Sequence, residues 1–206
     1  ASQLLAETLF EKGWPHQLMA INTENLAVNA VMLASRWPLR RIGIHNRPPE
    51  PHRWLFARVD RGVDCGVDGD LAVGVMHAPN FVTGRKRPFF DAIRDFAGRW
   101  RGGPAIIGGD TNTGVPPLDG NPSAFHPWEV DWVHELSARG WPDAYRQLHG
   151  DTLAHTWYSP NAGNGYRLDQ AYLNQRLLPA LNGARYEWGT DENLGTKRHV
   201  LSDHAA

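Results

Sequence analysis

The sequence predicts a mixed α/β (α+β) fold, a sandwich of strands with flanking helices. Short apolar runs typical of buried strands alternate with segments whose apolar residues recur at helical spacing. The 206 residues are 41% apolar and 21% charged, which is enough to build a core and argues against intrinsic disorder. No internal repeat and no long Gly/Ser linker divides the chain, so we expect one domain over residues 1–206.

Apolar spacing assigns the helices and strands in chain order. A helical stripe runs through residues 2–12 and ends at Gly13. The other helices are predicted at 86–101, 128–138 and 144–148. Buried or alternating strands are predicted at 27–34, 53–59, 71–76, 104–107, 167–173 and 184–188. Segments 60–70 and 113–127 are rich in turn-forming residues and are predicted to be loops.

Charge and cysteine content exclude several classes of protein. With 21 basic and 22 acidic side chains the formal charge is −1, which excludes a protein that coats nucleic acid by bulk charge. The single cysteine, Cys65, cannot form an intrachain disulfide or a cysteine-based zinc site. No apolar run approaches the ~18 residues of a membrane span. The composition is that of a soluble globular domain and is compatible with a reducing compartment. It does not identify the compartment.

Four apolar runs lead into clusters of titratable or metal-binding side chains. The clusters lie at residues 77–80, 108–112, 167–169 and 202–204. Side chains at the carboxyl edge of neighbouring strands converge on one cleft, so we expect these four clusters to meet.

The second of these clusters holds a carboxylate and an amide two residues apart. Asp110 and Asn112 follow Gly108 and Gly109, which allow a tight backbone path. In an extended segment residues i and i+2 face the same side, so the pair can bind Mg²⁺ or orient a water molecule. An Asx-turn after a strand is the alternative interpretation.

The last cluster pairs Asp203 with His204. Adjacent strand residues point to opposite sides, so Asp203 cannot orient its neighbour, and Asp169 is the best candidate for that role. An Asp–His pair stabilises imidazolium as charge builds on a phosphate. The alternative is an exposed polar turn. His77, which follows a strand, is either a structural histidine or part of the site.

Two further features are weaker signals. Arg85, Lys86 and Arg87 form the one dense basic run, which we interpret as a solvated helix start rather than a phosphate-binding patch. Trp157 and Tyr158 could line a substrate cleft, while most of the nine tryptophans are expected in the core or as loop anchors.

Together, the segments resemble the endonuclease/exonuclease/phosphatase superfamily, which has the deoxyribonuclease-I-like fold. The resemblance rests on five segments in family order: AVMLASRWPL at 30–39, VMHAPN at 75–80, IIGGDTN at 106–112, HTW with YRLDQAYLN at 155–157 and 166–174, and LSDHAA at 201–206. It covers nearly the whole chain and implies a two-sheet sandwich with the site at one end of the sheets.

The resemblance also implies roles for individual residues. Asp110 would position and activate the attacking water, and Asn112 would hydrogen-bond the scissile phosphate. His204, oriented by Asp169, would stabilise the transition state. His77 would be a second phosphate contact or the acid that protonates the leaving group.

A divalent cation is implied as well, most readily Mg²⁺, with Mn²⁺ or Ca²⁺ as alternatives. Asp203 would be a metal-site carboxylate and Asp110 a second metal ligand. The cation would polarise a phosphoryl oxygen.

The sequence departs from the family pattern at several positions. The family's first strand carries an Asn and the next ends in the Glu that is its main metal ligand, and nothing here matches either residue. We therefore expect the domain to be incomplete at its amino terminus, lacking its first strands, and clipped at its carboxyl terminus. Thr111 replaces a phenylalanine, and Gln170 stands where an aromatic residue is usual.

The leading hypothesis is a Mg²⁺-dependent phosphoesterase that hydrolyses a phosphodiester, with nuclease activity as the first guess and DNA or RNA as expected partners. One alternative is a lipid or small-molecule phosphodiesterase or phosphatase, which an exposed aromatic hairpin at 128–132 or 156–158 would favour. Another is a non-catalytic binding member of the fold. Nothing in the sequence indicates a protein partner.

Overall fold

The structure, a computed structural model, describes residues 2–60, 71–188 and 202–205. The helices of these ranges are α1 (Ser2–Glu11), α2 (Lys86–Arg99), α3 (Pro127–Ala138) and α4 (Ala144–His149). The strands are β1 (His16–Met19), β2 (Met32–Ser35), β3 (Leu39–Arg41), β4 (Trp54–Val59), β5 (Leu71–His77), β6 (Ala105–Asp110), β7 (Trp157–Tyr158), β8 (Gly165–Tyr166) and β9 (Asp169–Leu173).

Five strands form the central sheet, in the order β3-β4-β5-β6-β9. β5 and β6 are parallel, whereas the other neighbours in this sheet are antiparallel. Parallel neighbours need a crossover connection, and α2 lies in the segment that joins β5 to β6. The predicted mixed α/β class is confirmed.

The central strands bury a different cluster on each face, as the alternation of side chains along a strand requires. Phe56 and Met76 belong to the larger core, together with Ile93 of α2 and Trp132 of α3. Leu55, the neighbour of Phe56, packs instead with residues in and beside the ladder of β1 and β2. The β1–β2 ladder is therefore a small second layer behind the central sheet, and β7–β8 is a separate two-stranded ladder.

Most predicted elements are present, with bounds that differ by a few residues. They are the four helices and the strands β4, β5, β6 and β9. The strands that sequence reasoning missed have two to four residues each, which is too short for a period to show. None of the helices in the described ranges has the length and apolar character needed to span a bilayer.

Two predicted strands are wrong in part or in whole. The run at 27–34 becomes a strand only from Met32, because the Asn22 and Asn25 side chains accept backbone N–H groups and hold a turn before it. Residues 184–188 are irregular, since they find no ladder partner in the described part of the chain. Cys65 and most of the predicted 60–70 loop lie outside the described residues.

Candidate active site

The candidate active site lies at one edge of the central sheet, where two strands end and one begins. The parallel register sets His77, the last residue of β5, beside Asp110, the last residue of β6. The antiparallel register sets Asp110 opposite Asp169, the first residue of β9. The clusters thus converge as predicted, except that Asp169 begins its strand instead of following it, because β9 runs antiparallel to β6.

Gly109 allows β5 and β6 to approach closely beside Asp110. Its φ is +129°, a conformation that residues with a side chain rarely adopt. A Cβ atom at this position would lie 2.1 Å from the Met76 carbonyl oxygen. The backbone path into Asp110 therefore requires glycine at position 109.

Asp110 and Asn112 form a tight Asx-turn, the alternative interpretation of this pair, and the turn lies at the edge of the candidate site. The Asp110 Oδ1 atom accepts the Asn112 backbone N–H at 2.8 Å, and Asn112 adopts a φ of +50°, which asparagine tolerates. The Asn112 side-chain amide donates to Asp110 Oδ2 at 3.0 Å and to the Ala78 carbonyl at 2.9 Å. The amide group thereby fixes the Asp110 carboxylate and ties this turn to the end of β5.

Asp169 and His204 form the predicted pair. His204 Nδ1 lies 2.8 Å from Asp169 Oδ2, and because a carboxylate only accepts, Nδ1 is the donor. The Thr156 hydroxyl accepts the backbone N–H of Asp169 at 3.1 Å, and its carbonyl accepts the N–H of Ala205 at 2.8 Å. The Thr156 backbone and side chain therefore hold the two partners in place.

Asp203 points away from this pair. Its Oδ2 atom accepts the indole N–H of Trp157 at 3.1 Å, and Trp157 also forms an isolated β-bridge with His204. Adjacent residues on an extended segment face opposite sides, which explains why Asp203 does not orient His204. Trp157 thus anchors the 202–205 segment beside the sheet.

His77 lies beside Asp110 at the sheet edge, so that His77, Asp110 and Asp169 form a row across three strands. Its Nε2 atom lies 3.6 Å from Asp110 Oδ2, and its Nδ1 atom lies 3.1 Å from the guanidinium of Arg53. Because a guanidinium only donates, Nδ1 is the acceptor, so neutral His77 carries its proton on Nε2. Glu50 in turn pairs with Arg53 at 3.0 Å. Burial, followed by the charge of Arg53, lowers the pKa of His77 to about 4.

The negative charge of Asp169 affects the protonation of Asp110, which faces it across the sheet register. Burial, followed by the negative charge of Asp169, raises the pKa of Asp110 to about 6. The pKa of His204 is raised as well, first by its hydrogen bond to Asp169, against the opposing effect of burial. The site therefore holds a carboxylate that titrates near neutrality beside a histidine that favours its cationic form.

The donor set suits Mg²⁺ only in part. Mg²⁺ prefers oxygen ligands and commonly takes one or two carboxylates, filling the remaining positions with water and substrate phosphate. Asp110 and Asp169 face each other, and the charge of Asp169 raises the pKa of Asp110, a repulsion that a cation would relieve. Within the described ranges, however, no three His, Cys, Asp or Glu side chains form a group that could hold a metal by themselves. A cation here would depend on water and substrate oxygens.

The interpretation of the basic run as a solvated helix start is wrong for its central residue. Lys86 is 3% exposed and forms an ion pair with Glu129, which is 2% exposed. Its ammonium group also donates to the Asn112 carbonyl at 2.5 Å. Burial lowers the pKa of Lys86 despite the hydrogen bond that its ammonium group donates to Glu129. Arg85 and Arg87 are exposed, as expected.

A second buried ion network lies under the 113–127 loop. The Asp119 carboxylate, fully buried, accepts from Arg167 Nε at 2.7 Å and from Arg167 Nη2 at 3.1 Å. Arg146 also pairs with Asp119, and Asp143 lies 2.8 Å from Arg167 Nη2. This network anchors the 113–127 loop to Arg167, which lies two positions before Asp169 in the chain.

Sequence reasoning missed Arg53, Glu50, Thr156 and the Lys86–Glu129 pair. One of these had a readable signal, because Lys86 precedes Phe90 and Ile93 by four and seven residues and so shares their buried helical stripe. The others contact the site only through tertiary folding.

Comparison with known proteins agrees with this architecture. A model of the endonuclease/exonuclease/phosphatase family matches residues 3–204. A search of curated protein sequences finds no significant match. A 3′-5′ exonuclease, NExo, from Neisseria meningitidis superposes with a TM-score of 0.76 at 22% identity, covering 97% of this chain and 80% of that chain.

Two other solved structures share the fold at similar coverage. The 3′ phosphatase NExo from Neisseria bound to product DNA hairpin gives a TM-score of 0.73 at 21% identity, over 97% of this chain and 80% of that chain. An AP endonuclease from Archaeoglobus fulgidus gives 0.73 at 17% identity with the same coverage. These likenesses show the fold. Since the family model spans almost the full length and the resemblance read from the sequence is thereby confirmed, the chain belongs to the endonuclease/exonuclease/phosphatase family of phosphoester hydrolases.

Proposed function

We propose that this chain carries the catalytic residues of a divalent-metal-dependent hydrolase of phosphodiesters, with a nucleic acid as its substrate. The observation that carries the proposal is the row of His77, Asp110 and Asp169 at one sheet edge, with His204 hydrogen-bonded to Asp169. Family membership supports phosphoester hydrolysis, and the DNA hairpin in the NExo structure makes nucleic acid the first substrate to test.

Asp110 is the proposed base for the attacking water. A general base works best with a pKa near the operating pH, and the pKa of Asp110 is raised to about 6. Asn112 donates both amide hydrogens, one to Asp110 and one to Ala78, so in this conformation it positions the carboxylate. To contact a phosphate directly, Asn112 would first have to release one of these acceptors.

His204 and His77 have different proposed roles. The Asp169 carboxylate favours cationic His204, whose Nε2–H would donate to a phosphate oxygen as negative charge builds there. His77, with its pKa lowered to about 4, is neutral near pH 7 and would donate Nε2–H to the same group as a dipole. Because its imidazole is neutral and has so low a pKa, His77 is better assigned as a phosphate contact than as the acid that protonates the leaving group.

Mg²⁺ is the proposed cation, held by Asp110 and Asp203 as the resemblance implies and beside Asp169. When bound, it would supply Lewis-acid stabilisation of the phosphoryl oxygens. The indole N–H of Trp157, now donated to Asp203, would then orient one of these carboxylates.

The test is hydrolysis of bis-p-nitrophenyl phosphate and plasmid DNA with Mg²⁺, with Mn²⁺ or with EDTA. We expect metal-dependent turnover whose kcat falls about 10²–10⁴-fold in Asp110→Asn and in His204→Gln. Asp151→Asn, an exposed aspartate outside the site, is the matched control and should keep full activity. Turnover that persists in EDTA, or in Asp110→Asn, would refute the proposal.

The alternative lipid phosphodiesterase has little support from its predicted aromatic hairpins. Trp132 is 3% exposed and belongs to the core, while Trp157 and Tyr158 are half-buried in β7. Neither segment presents a protruding aromatic tip to a membrane.

A further inference from the structure

A cluster of three stacked rings lies on the surface next to the site. Phe81 and His126 stack with ring centres 4.2 Å apart and planes inclined by 27°. His126 and Trp128 are 6.4 Å apart and nearly parallel, at 16°. Phe81 stacks on a neighbour and still exposes 51% of its surface. We call Phe81, His126 and Trp128 the aromatic platform.

The aromatic platform is tied to the catalytic turn at both of its ends. Phe81 follows Ala78, whose carbonyl accepts the Asn112 amide, by three residues, so their Cα atoms are at most about 11 Å apart. Trp128 precedes Glu129, whose carboxylate pairs with Lys86, and Lys86 donates to Asn112. The aromatic platform therefore lies on segments that connect directly to the turn of Asp110 and Asn112.

Two exposed arginines lie at the start of α2, and one of them contacts the aromatic platform. The Arg87 guanidinium lies 5.9 Å from the centre of the Trp128 indole ring. Arg85, whose side chain is 61% exposed, pairs with Glu50, which pairs in turn with Arg53 beside His77. Positive charge and flat aromatic surface thus occur together along one path leading to the site, which is the combination that holds single-stranded nucleic acid.

We propose that the aromatic platform stacks a nucleobase next to the scissile phosphate, with Arg85 and Arg87 attracting the adjoining phosphates. The inference rests on the proposed function and narrows its substrate to nucleic acid with an unpaired base near the cleavage position. Parallel rings offer a face to a planar ligand, whereas insertion into a lipid surface needs protruding apolar side chains. Because every base has a π-face, the platform would tolerate any sequence.

The test compares binding of two short single strands of equal length and charge, in EDTA. One strand is an ordinary oligodeoxynucleotide, and the other has a base-free sugar–phosphate backbone. Wild-type protein should bind the base-containing strand about fivefold to 150-fold more tightly, the range of one stacked base. Phe81→Ala should lose this preference, and Phe81→Trp should keep it. Phe10→Ala removes a phenylalanine of similar exposure, 62%, on α1, and should behave as wild type.

Equal affinity for the two strands in wild type, or the same preference in Phe81→Ala, would overturn the inference. So would Phe81-dependent binding to phosphatidylcholine–phosphatidylserine vesicles without any preference for bases. Failure of the proposed function looks different, since a protein without metal-dependent hydrolysis can still prefer the base-containing strand. Asp110→Asn separates the two further, because it should lose hydrolysis and keep the base preference.

Discussion

At the scale of single residues, the two departures from the family pattern beside Asp110 belong to one buried network. The Thr111 hydroxyl lies 2.8 Å from the Leu168 carbonyl and 3.1 Å from the Thr113 carbonyl. The Gln170 amide donates to that same Thr113 carbonyl at 2.7 Å. A phenylalanine at 111 would remove the hydroxyl from this network, although the Leu168 carbonyl would keep the backbone N–H of residue 111 and the Thr113 carbonyl would keep Gln170.

Lys86 gives a prediction at this scale. Lys86→Met leaves the Glu129 carboxylate buried without its cation, so we expect the free energy of unfolding to fall by about 3–5 kcal/mol. The double variant Lys86→Met/Glu129→Leu removes both charges and should recover most of that loss. Urea unfolding measures both values.

The same double variant separates positioning from stability. It leaves the Asn112 carbonyl without the Lys86 donor, so the turn that carries Asp110 and Asn112 loses a support. We expect kcat on bis-p-nitrophenyl phosphate to fall about 10–100-fold with KM nearly unchanged. A double variant that is stable and fully active would show that Lys86 has only a structural role.

At the scale of elements, the 113–127 loop depends on a charge network instead of an apolar core. Asp119 accepts from Arg167 side-chain and backbone donors, and its Oδ2 also accepts the Val115 N–H at 2.8 Å. Arg167 leads directly into β9, so the loop and the strand that carries Asp169 are held together. A loop this polar would otherwise contribute little to its own order.

Asp119 predicts a pH dependence of stability. Burial opposes ionisation, but hydrogen bonds from Arg167, with its charge, outweigh it and lower the pKa of Asp119 below its ordinary value of 3.8. A depressed carboxyl pKa contributes stability that is complete above the unfolded-state pKa and is lost as pH falls through the folded-state pKa. The free energy of unfolding should therefore decline below about pH 4 partly through this group.

Asp119→Asn isolates that contribution. At pH 7 the variant should be less stable than wild type by about 3–5 kcal/mol, because Arg167 keeps its charge without its main partner. The difference should shrink as pH falls from 4 to 2 in urea unfolding. Asp151→Asn, exposed and outside the network, should differ little from wild type at either pH. A constant deficit for Asp119→Asn across that range would contradict the argument.

At the scale of the whole molecule, the central sheet brings negative charge together at one edge. Asp110 and Asp169 are register partners, and their mutual repulsion opposes folding of the metal-free protein. Functional sites often carry such a cost, which a bound ligand relieves. The packing of the five-stranded sheet against α2 and α3 must hold His77, Asp110 and Asp169 in place despite this repulsion.

Mg²⁺ should therefore stabilise the folded protein. A ligand that binds only the native state adds about 2.7 kcal/mol at 100 times its Kd. We expect Tm to rise with MgCl2 in wild type and to stay constant in Asp110→Asn, with NaCl of equal ionic strength as the control. An equal rise of Tm in both proteins would place the cation elsewhere. No rise in wild type would exclude the cation from this site.

The sequence by itself determined what depends on neighbours along the chain. Helical periods located all four helices, and apolar runs located β4, β5, β6 and β9. The sequence placed Asp110 and Asn112 side by side, although a turn with Asn112 at a φ of +50°, and not an extended segment, brings them together. The alternation of side chains along an extended segment excluded Asp203 as the partner of His204. The order of the short motifs indicated the family before any contact was known.

Only the tertiary structure decided which distant residues meet. The sequence named Asp169 as the partner of His204, but only the structure shows that β9 begins, rather than ends, at the site edge. Arg53 reaches His77, and Lys86 is drawn inside by Glu129, through packing of elements that are far apart in the chain. Local periodicity carries no information on the direction in which a strand returns or on which buried charge meets another, and those two facts set the electrostatics of the site.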